Sequence, residues 1–380
     1  MSHLLEEYAK NLGVKISLPI VSDHFFPLTC DKYITLSNDD EIESKHYPYY
    51  EVVLNLLAPF FKQKNIKIVQ LGGKSKIDGV DAALNLTFKQ QSFILSKSLL
   101  HVGSDNVLNH LASAKQIPTV NIFGNTFSQV NRPIYSSPSI NINLSPDWDK
   151  KPSFNKVDSK KQINNIKPEL IAQSILDLLK IKGKKIDFKT LYAGPAFAQR
   201  LVEVVPSTFT PLHLFPNQTV MVRADYGFNE DVFLKYCKSY EVSVCSDNLI
   251  QPDGLRQIAA NTTDLLVFVD TSWDTIPENY FRMARGLGIN LVLLTKEEED
   301  LAPIRNKYFD VPVRHAYPKV EPRCEVKEKT RFISHKRIVS EGKEYLSYAH
   351  LKKGLDGDNR VLDTPEYWRE SDHFYIYESN

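Results

Sequence analysis

The stretch "LHVGSDNVLNHLASAKQIPTVNIFG", residues 100–124, places a carboxylate, Asp105, and an imidazole, His110, five positions apart. Asp105 follows a short β-type run and precedes a segment of helical spacing, which leads into a second β-type run ending at Gly124. Two readings fit. The free amides of a helix's first turn, with the helix dipole, attract a phosphate. Equally, an aspartate caps a helix and a histidine sits satisfied in the core. The second half of the chain repeats the theme, because three β-type runs end at Asp225, Asp247 and Asp270. In open α/β sheets ligands bind beyond the carboxyl ends of the strands, where aspartate is also a common helix cap.

These side chains need elements to hold them. From Lys32 to about Asn143 strand and helix signals alternate. "YITLS" reads as a strand, and "YYEVVLNLLAPFFKQKN" as a helix that Pro59 should kink. "IKIVQLGG" reads as a strand ending in a glycine turn. "SFILSKSL" is a short helix, "LLHVGS" a strand, "DNVLNHLASAK" a helix and "TVNIFG" a strand. Apolar runs this continuous fit a parallel sheet covered on both faces. Residues 145–168 are polar and proline-containing, as in a linker, and "PELIAQSILDLLKI" is an amphipathic helix with Pro168 in its first turn. The alternation then resumes from "TVMVRAD" to "EEEDLAPIRNKYF". After about Val313 it gives way to short β segments with turns at Glu341-Gly342 and Asp356-Gly357. The expected fold class is α/β: two Rossmann-like domains facing across a cleft, plus a small β-rich C-terminal tail. The expected boundaries are an N-terminal segment 1–31, a first domain 32–144, a linker and crossing helix 145–190, a second domain 191–313 and an extension 314–380.

The bulk properties exclude several classes. A length of 380 residues suits two or three domains, and 42% hydrophobic with 24% charged residues is the composition of a folded soluble protein. A net charge of +1 argues against a nucleic-acid partner held through its phosphates. The positive excess lies in scattered lysines of residues 151–190, as on a solvated face. The N-terminus lacks the basic flank and apolar core of a signal peptide, and no apolar run approaches the ~20 residues that span a bilayer, so a cytoplasmic location without membrane insertion is expected. Cys30, Cys237, Cys245 and Cys324 form no C-x-x-C pair, so free thiols and no structural zinc are expected.

Four segments in order carry a resemblance to a known family: "SKHYPYYEVV", "IKIVQLGG", "SDNVLNHLASA" and "PTVNIFGNT". Together they resemble the nucleotide-binding domain of the ADP-heptose:lipopolysaccharide heptosyltransferases, glycosyltransferase family 9, over roughly Lys32 to Pro133. The match places Lys45, Tyr47 and Pro48 on its K-x-W-P segment and the remaining segments on its double glycine, its D-x-G-x-x-H-x-A-x-A and its P-T-x-x-x-[FY]-G-x-T. The resemblance implies a GT-B architecture and a nucleotide-diphosphate sugar as donor. Asp105 would accept hydrogen bonds from donor-sugar hydroxyls, His110 would support the phosphates, and Lys45 would neutralise the departing diphosphate. Gly72 and Gly73 would turn the backbone near the nucleotide, and Gly124 and Thr126 would line the same rim.

The sequence also departs from the family. Asn106-Val107 replaces Thr-Gly or Ser-Gly after the aspartate, and "KSKID" replaces acidic residues after the double glycine, so ADP-heptose is not assumed as donor. The donor-like half comes first here, whereas the family places it second: the chain is permuted, or its second half is a separate acquisition. The family's N-terminal catalytic carboxylate has no counterpart. The nearest analogue, "VMVRADYGFNEDV", offers Asp225 and Asp231, with Asp225 the expected general base. The expected reaction is inverting and metal-independent transfer, with no cofactor and no metal ligands, to a surface saccharide or other hydroxyl acceptor. The alternatives are transfer to a nucleic-acid base, a non-catalytic nucleotide-sugar-binding protein, and a two-domain sugar-nucleotide epimerase.

Overall fold

The computed structural model describes the chain apart from residues 1, 39–40, 73–76, 78–79, 148–150, 159–160, 182–184, 195, 198, 215–217, 274, 318–320 and 380. The chain divides into two compact units, one running to Thr190 and the other beginning at Leu191.

The first unit runs α1 (Leu4–Leu12), β1 (Tyr33–Ser37), α2 (Tyr50–Lys64), β2 (Lys67–Leu71), β3 (Asp81–Ala83), α3 (Phe88–Lys97), β4 (His101–Ser104), α4 (Val107–Ala114), β5 (Thr119–Ile122), α5 (Ser128–Asn131), β6 (Asn141–Leu144) and α6 (Pro168–Leu178). Its strands form one parallel sheet in the order β3-β2-β1-β4-β5-β6. Every residue of β1, β4 and β5 is buried, which is why their sequences read as continuous apolar or small runs rather than alternating ones. The connection reverses direction between β1 and β4, and such a switch point opens a crevice beyond the strand ends. Local chemistry sets the helix starts. Thr87 and Gln90 form a capping box on α3, and Pro168 occupies the first turn of α6. Helix α2 runs through Pro59, which lies on its exposed side opposite buried Val53 and Leu57.

Two short strands lack a strong sequence signal. The three residues of β3 and the asparagine-rich β6 are the sheet's edges, where continuous apolar character is not required. The N-terminal segment packs on this unit, since Val21, Phe26 and Leu28 join the core that includes Leu95, Leu108 and Leu111. Asp23 fastens it by accepting from Ser92 Oγ at 2.6 Å and pairing with Lys115 Nζ at 2.8 Å.

The second unit comprises β7 (Lys189–Ala193, which begins at the division), β8 (Leu201–Val204), β9 (Thr219–Arg223), α7 (Glu230–Ser239), β10 (Val242–Ser246), α8 (Pro252–Ile258), β11 (Thr262–Phe268), α9 (Glu278–Gly286), β12 (Asn290–Thr295), α10 (Leu301–Lys307), β13 (Val313–His315), β14 (Thr330–Ser334), β15 (Arg337–Ser340), β16 (Lys343–Tyr345), α11 (Tyr348–Lys353), α12 (Pro365–Glu370) and β17 (Phe374–Glu378). Its main sheet has the order β13-β12-β11-β10-β9-β8-β15-β16, parallel from β13 to β15. The expected turn at Glu341-Gly342 closes the β15–β16 hairpin with φ of 52° and 74°, the left-handed pair that hairpin twist favours. The residues after Val313 also contain helices α11 and α12, packed with Phe332, Trp368 and Phe374 around a separate aromatic core, and a smaller sheet of order β14-β17-β7.

Gly124 follows β5 where the chain passes Ile163, and a Cβ there would overlap that residue's side chain and Cα. Gly124→Ala should therefore cost about 1–3 kcal/mol by overpacking. Chemical denaturation of wild type and variant measures this directly.

Candidate functional site

The switch point between β1 and β4 is where the sequence-predicted residues meet. Asp105 leaves the end of β4 with its amide donating to the Ile122 carbonyl at 3.0 Å, so β5 sets the backbone position of the carboxylate. After β1, the Asn38 side chain accepts from the Tyr47 amide at 2.9 Å and donates to the Tyr47 carbonyl at 3.0 Å. Tyr47 is fully buried and its hydroxyl donates to the Ile166 carbonyl at 2.7 Å. The loop is thus pinned at both ends, and Lys45 in its 3-10 turn reaches across the crevice. Its Nζ lies 2.9 Å from Asp105 Oδ2 and 3.0 Å from the Asp105 carbonyl oxygen. Thr126 Oγ1 donates to the same Oδ2 at 2.8 Å, and Asn131 Nδ2 donates to Oδ1 at 2.7 Å. With 3% of its side chain exposed, Asp105 is a buried anion satisfied by one cation and two neutral donors.

The structure corrects one detail of the helix start. The cap of α4 is Asn106, not Asp105: Asn106 Oδ1 accepts from the Leu108 amide at 2.9 Å while its Nδ2 donates to Ser37 Oγ at 2.9 Å. Asn106 therefore ties β1 to α4 and leaves the Asp105 carboxylate turned to Lys45. Val107, the first helical residue, is 61% exposed.

His110 lies one turn further along α4 and, with Val107 and Asn131, lines a cavity of about 320 Å³. Burial holds its pKa below the ordinary histidine value, against the opposing pull of Asp105's negative charge. Gly72 follows β2 with φ of 68°, the left-handed conformation that favours glycine. Gly73 and most of "KSKID" lie outside the described residues. Gly124 is accounted for by its packing on Ile163.

Several contributors gave no sequence signal. Asn131 lies beyond the last motif, in a four-residue helix. Beneath the site, fully buried His101 has Nδ1 3.0 Å from Thr35 Oγ1 and Nε2 at 3.2 and 3.0 Å from Ser37 Oγ and Asn109 Oδ1. Asn109 in turn donates to the carbonyls of Gly103 and Ser104 at 3.2 and 3.0 Å. This uncharged floor fixes the ends of β1 and β4. Its existence follows from "LHVGSDNVLNH" only once α4 is folded back on β4.

Asp225 belongs to the second unit. Both its oxygens face Arg223, at 2.8 Å from Nε and 2.6 Å from NH2, in a side-on fork. Arg223 also donates to Glu203 at 3.0 Å and stacks under Tyr226 at 3.6 Å. Lys336 then joins Glu203 to Glu370, each at 3.2 Å. Burial opposes the charge on Glu203, but Lys336 and Arg223 outweigh it and hold its pKa below the usual range. Burial dominates at Glu370 and raises it. Asp231 is exposed in the first turn of α7. Asp247 pairs with Lys296 at 3.0 Å, and Asp270 accepts from the amide and hydroxyl of Ser272 at 2.8 and 2.5 Å. Asp247 and Asp270 line a cavity of about 470 Å³ with Trp273, Lys296 and Asp300. Among the described residues no group of three or more His, Cys, Asp or Glu is placed to hold a metal ion, and no helix is long and apolar enough to cross a membrane. All four cysteines are free.

Comparison with known proteins adds the following. Residues 15–164 match the family model described as glycosyltransferase family 9 (heptosyltransferase). A search of curated proteins returns no match. Among solved structures the chain is similar to a glycosyl transferase family 9 protein from Veillonella parvula, at 15% identity over 47% of this chain and 50% of that one, with a TM-score of 0.33. It is also similar to the E. coli heptosyltransferase WaaC with ADP, at 16% identity over 46% and 54% with a TM-score of 0.32. A third similarity is to TibC, a bacterial iron-containing dodecameric glycosyltransferase from enterotoxigenic E. coli, at 16% identity over 45% and 51% with a TM-score of 0.36. The chain spans about half the length of these structures.

Two outcomes follow from the geometry. Burial depresses the His101 pKa from 6.5 to about 4, so the folded protein binds this proton more weakly than the unfolded chain. Its contribution is fully present above pH 6.5 and is lost as pH falls towards 4, by at most about 1.4 kcal/mol per pH unit. Urea denaturation of wild type and His101→Gln across that range should show the wild-type slope flattened in the variant. In the second unit, Arg223→Met strands the buried side chain of Asp225 and leaves Glu203 to Lys336 alone, and should cost about 3–5 kcal/mol in the same assay.

Proposed function

We propose that the first unit, which carries the glycosyltransferase family 9 match, binds a nucleotide-diphosphate sugar, and that the protein transfers this sugar to an acceptor hydroxyl. The observation that carries the reading is the meeting of Lys45, Asp105 and Thr126 at the switch point of a 3-2-1-4-5-6 parallel sheet, within the matched residues. A diphosphate entering there would draw Lys45 off Asp105, and the exposed carboxylate would accept the sugar's hydroxyls. Lys45 and the start of α4 would then stabilise the charge on the departing diphosphate, so the reaction is proposed to be metal-independent. Direct displacement by the acceptor oxygen would invert the anomeric carbon.

The acceptor is assigned to the second unit, and a surface saccharide remains the favoured class because the net charge of +1 offers nucleic acid little attraction. Asp225 is proposed as the general base, with its carboxylate held in place by Arg223. A second reading, binding without turnover, is favoured by one observation: both Asp105 oxygens already have partners within the chain.

Calorimetric titration with ADP, GDP, UDP and dTDP and their sugars is expected to find one nucleotide series that binds. Asp105→Ala and Lys45→Ala should each weaken the sugar-nucleotide by about tenfold or more, in line with the loss of a charge-assisted contact. Binding that both variants leave unchanged would sink the donor-site reading, and tight binding without donor hydrolysis or transfer to any saccharide would favour the non-catalytic one.

A further inference from the structure

The cavity beside Asp105 has a chemistry that the donor reading does not by itself account for. Its walls come from Leu4 of α1, Val21 of the N-terminal strap, Phe88 of α3, and Val107 and Leu111 of α4. Its size, about 320 Å³, lies within the ~300–1,000 Å³ range of small-molecule sites. Asn131 connects it to the charged cluster, because the side chain that lines the cavity also donates to Asp105 Oδ1 at 2.7 Å. A group bound to Asp105 would therefore reach directly into it.

Two of the polar side chains at this wall are already engaged within the chain. His3 places Nε2 2.8 Å from the Arg132 carbonyl and uses Nδ1 to accept from the Leu5 amide at 3.2 Å. Asn131 uses its amide nitrogen on Asp105. His110 and Tyr135 complete the lining at its polar side. A hydroxyl set against the hydrocarbon faces of Val107, Leu111 and Phe88, away from His110 and Tyr135, would lose water without gaining a partner from them, whereas a methyl group there would gain by leaving water.

Resting on the donor-site reading above, we propose that this cavity receives the donor's sugar and selects a 6-deoxy sugar, whose exocyclic methyl meets Val107 and Leu111, over its fully hydroxylated parent. Val107 is the specificity-determining residue in this assignment. It begins α4 beside Asn106, and its isopropyl group lines the cavity.

The test uses the full chain in two stages. Titration with ADP, GDP, UDP and dTDP identifies the base that binds. On that base, two sugars differing only in the exocyclic hydroxyl are compared, such as GDP-fucose against GDP-L-galactose or dTDP-6-deoxyglucose against dTDP-glucose. The 6-deoxy member is expected to bind about tenfold or more tightly, the discrimination one buried group supplies. Val107→Thr keeps the shape of the wall but adds a hydroxyl, and should shrink that ratio several-fold. Nucleotide binding with equal affinity for both sugars, or a ratio unmoved by Val107→Thr, overturns the inference and leaves the donor site standing. Failure of every nucleotide and every sugar-nucleotide to bind overturns both.

Discussion

The ion pair between Lys45 and Asp105 joins two segments sixty residues apart across the crevice of the first sheet. Lys45 is 15% exposed and Asp105 3%, so water does little to stabilise either charge. A buried anion of this kind persists when its remaining lone pairs are also satisfied, which Thr126 and Asn131 accomplish. The requirement propagates outward. The loop carrying Lys45 must be held by Asn38 and Tyr47, the chain after β5 must bring Thr126 back, and α5 must present Asn131. Three motifs that look independent in sequence, those of Lys45, Asp105 and Thr126, are parts of one solution to the burial of one carboxylate.

Beneath that charged layer lies a neutral one. His101, Thr35, Ser37 and Asn109 form hydrogen bonds among themselves and with the carbonyls at the end of β4, and Asn106 connects this floor to the helix cap. Gly103 belongs to the same arrangement, since a Cβ there would overlap Ser37 Oγ and Asn109 Oδ1. Under the proposed function, a ligand that displaced Lys45 from Asp105 would meet a carboxylate whose backbone these hydrogen bonds hold, so binding would exchange partners rather than move the strand.

The second unit solves a harder electrostatic problem. Three carboxylates and two cations, Glu203, Asp225, Glu370, Arg223 and Lys336, are buried together, with Tyr226 over the guanidinium and Tyr348 stacked on Tyr226 at 4.1 Å. These groups come from β8, the end of β9, the approach to β15 and the end of α12, so the C-terminal segment completes the charge balance of the parallel sheet. That explains why its aromatic residues are packed rather than trailing. It also engages Asp225, which reads as a strand-end acid in the sequence and meets Arg223 in a side-on fork in the fold.

The sequence by itself determined the parallel α/β character and the positions of most strands and helices, and its family resemblance singled out Asp105, Lys45 and Thr126. The elements rest on local periodicity and each of these residues on a motif read within its own segment, while their convergence on one carboxylate belongs to the fold. Only the tertiary structure decided which neighbour capped α4, because Asp105 and Asn106 are both good caps and the choice depended on Lys45 arriving from the β1 loop. It likewise brought in Asn131, His101 and the Arg223 network, and showed helices α11 and α12 where the pattern announced strands. Those roles depend on hydrogen bonds and charges contributed from far along the chain, and neither periodicity nor spacing carries information about a partner that folding has yet to bring near.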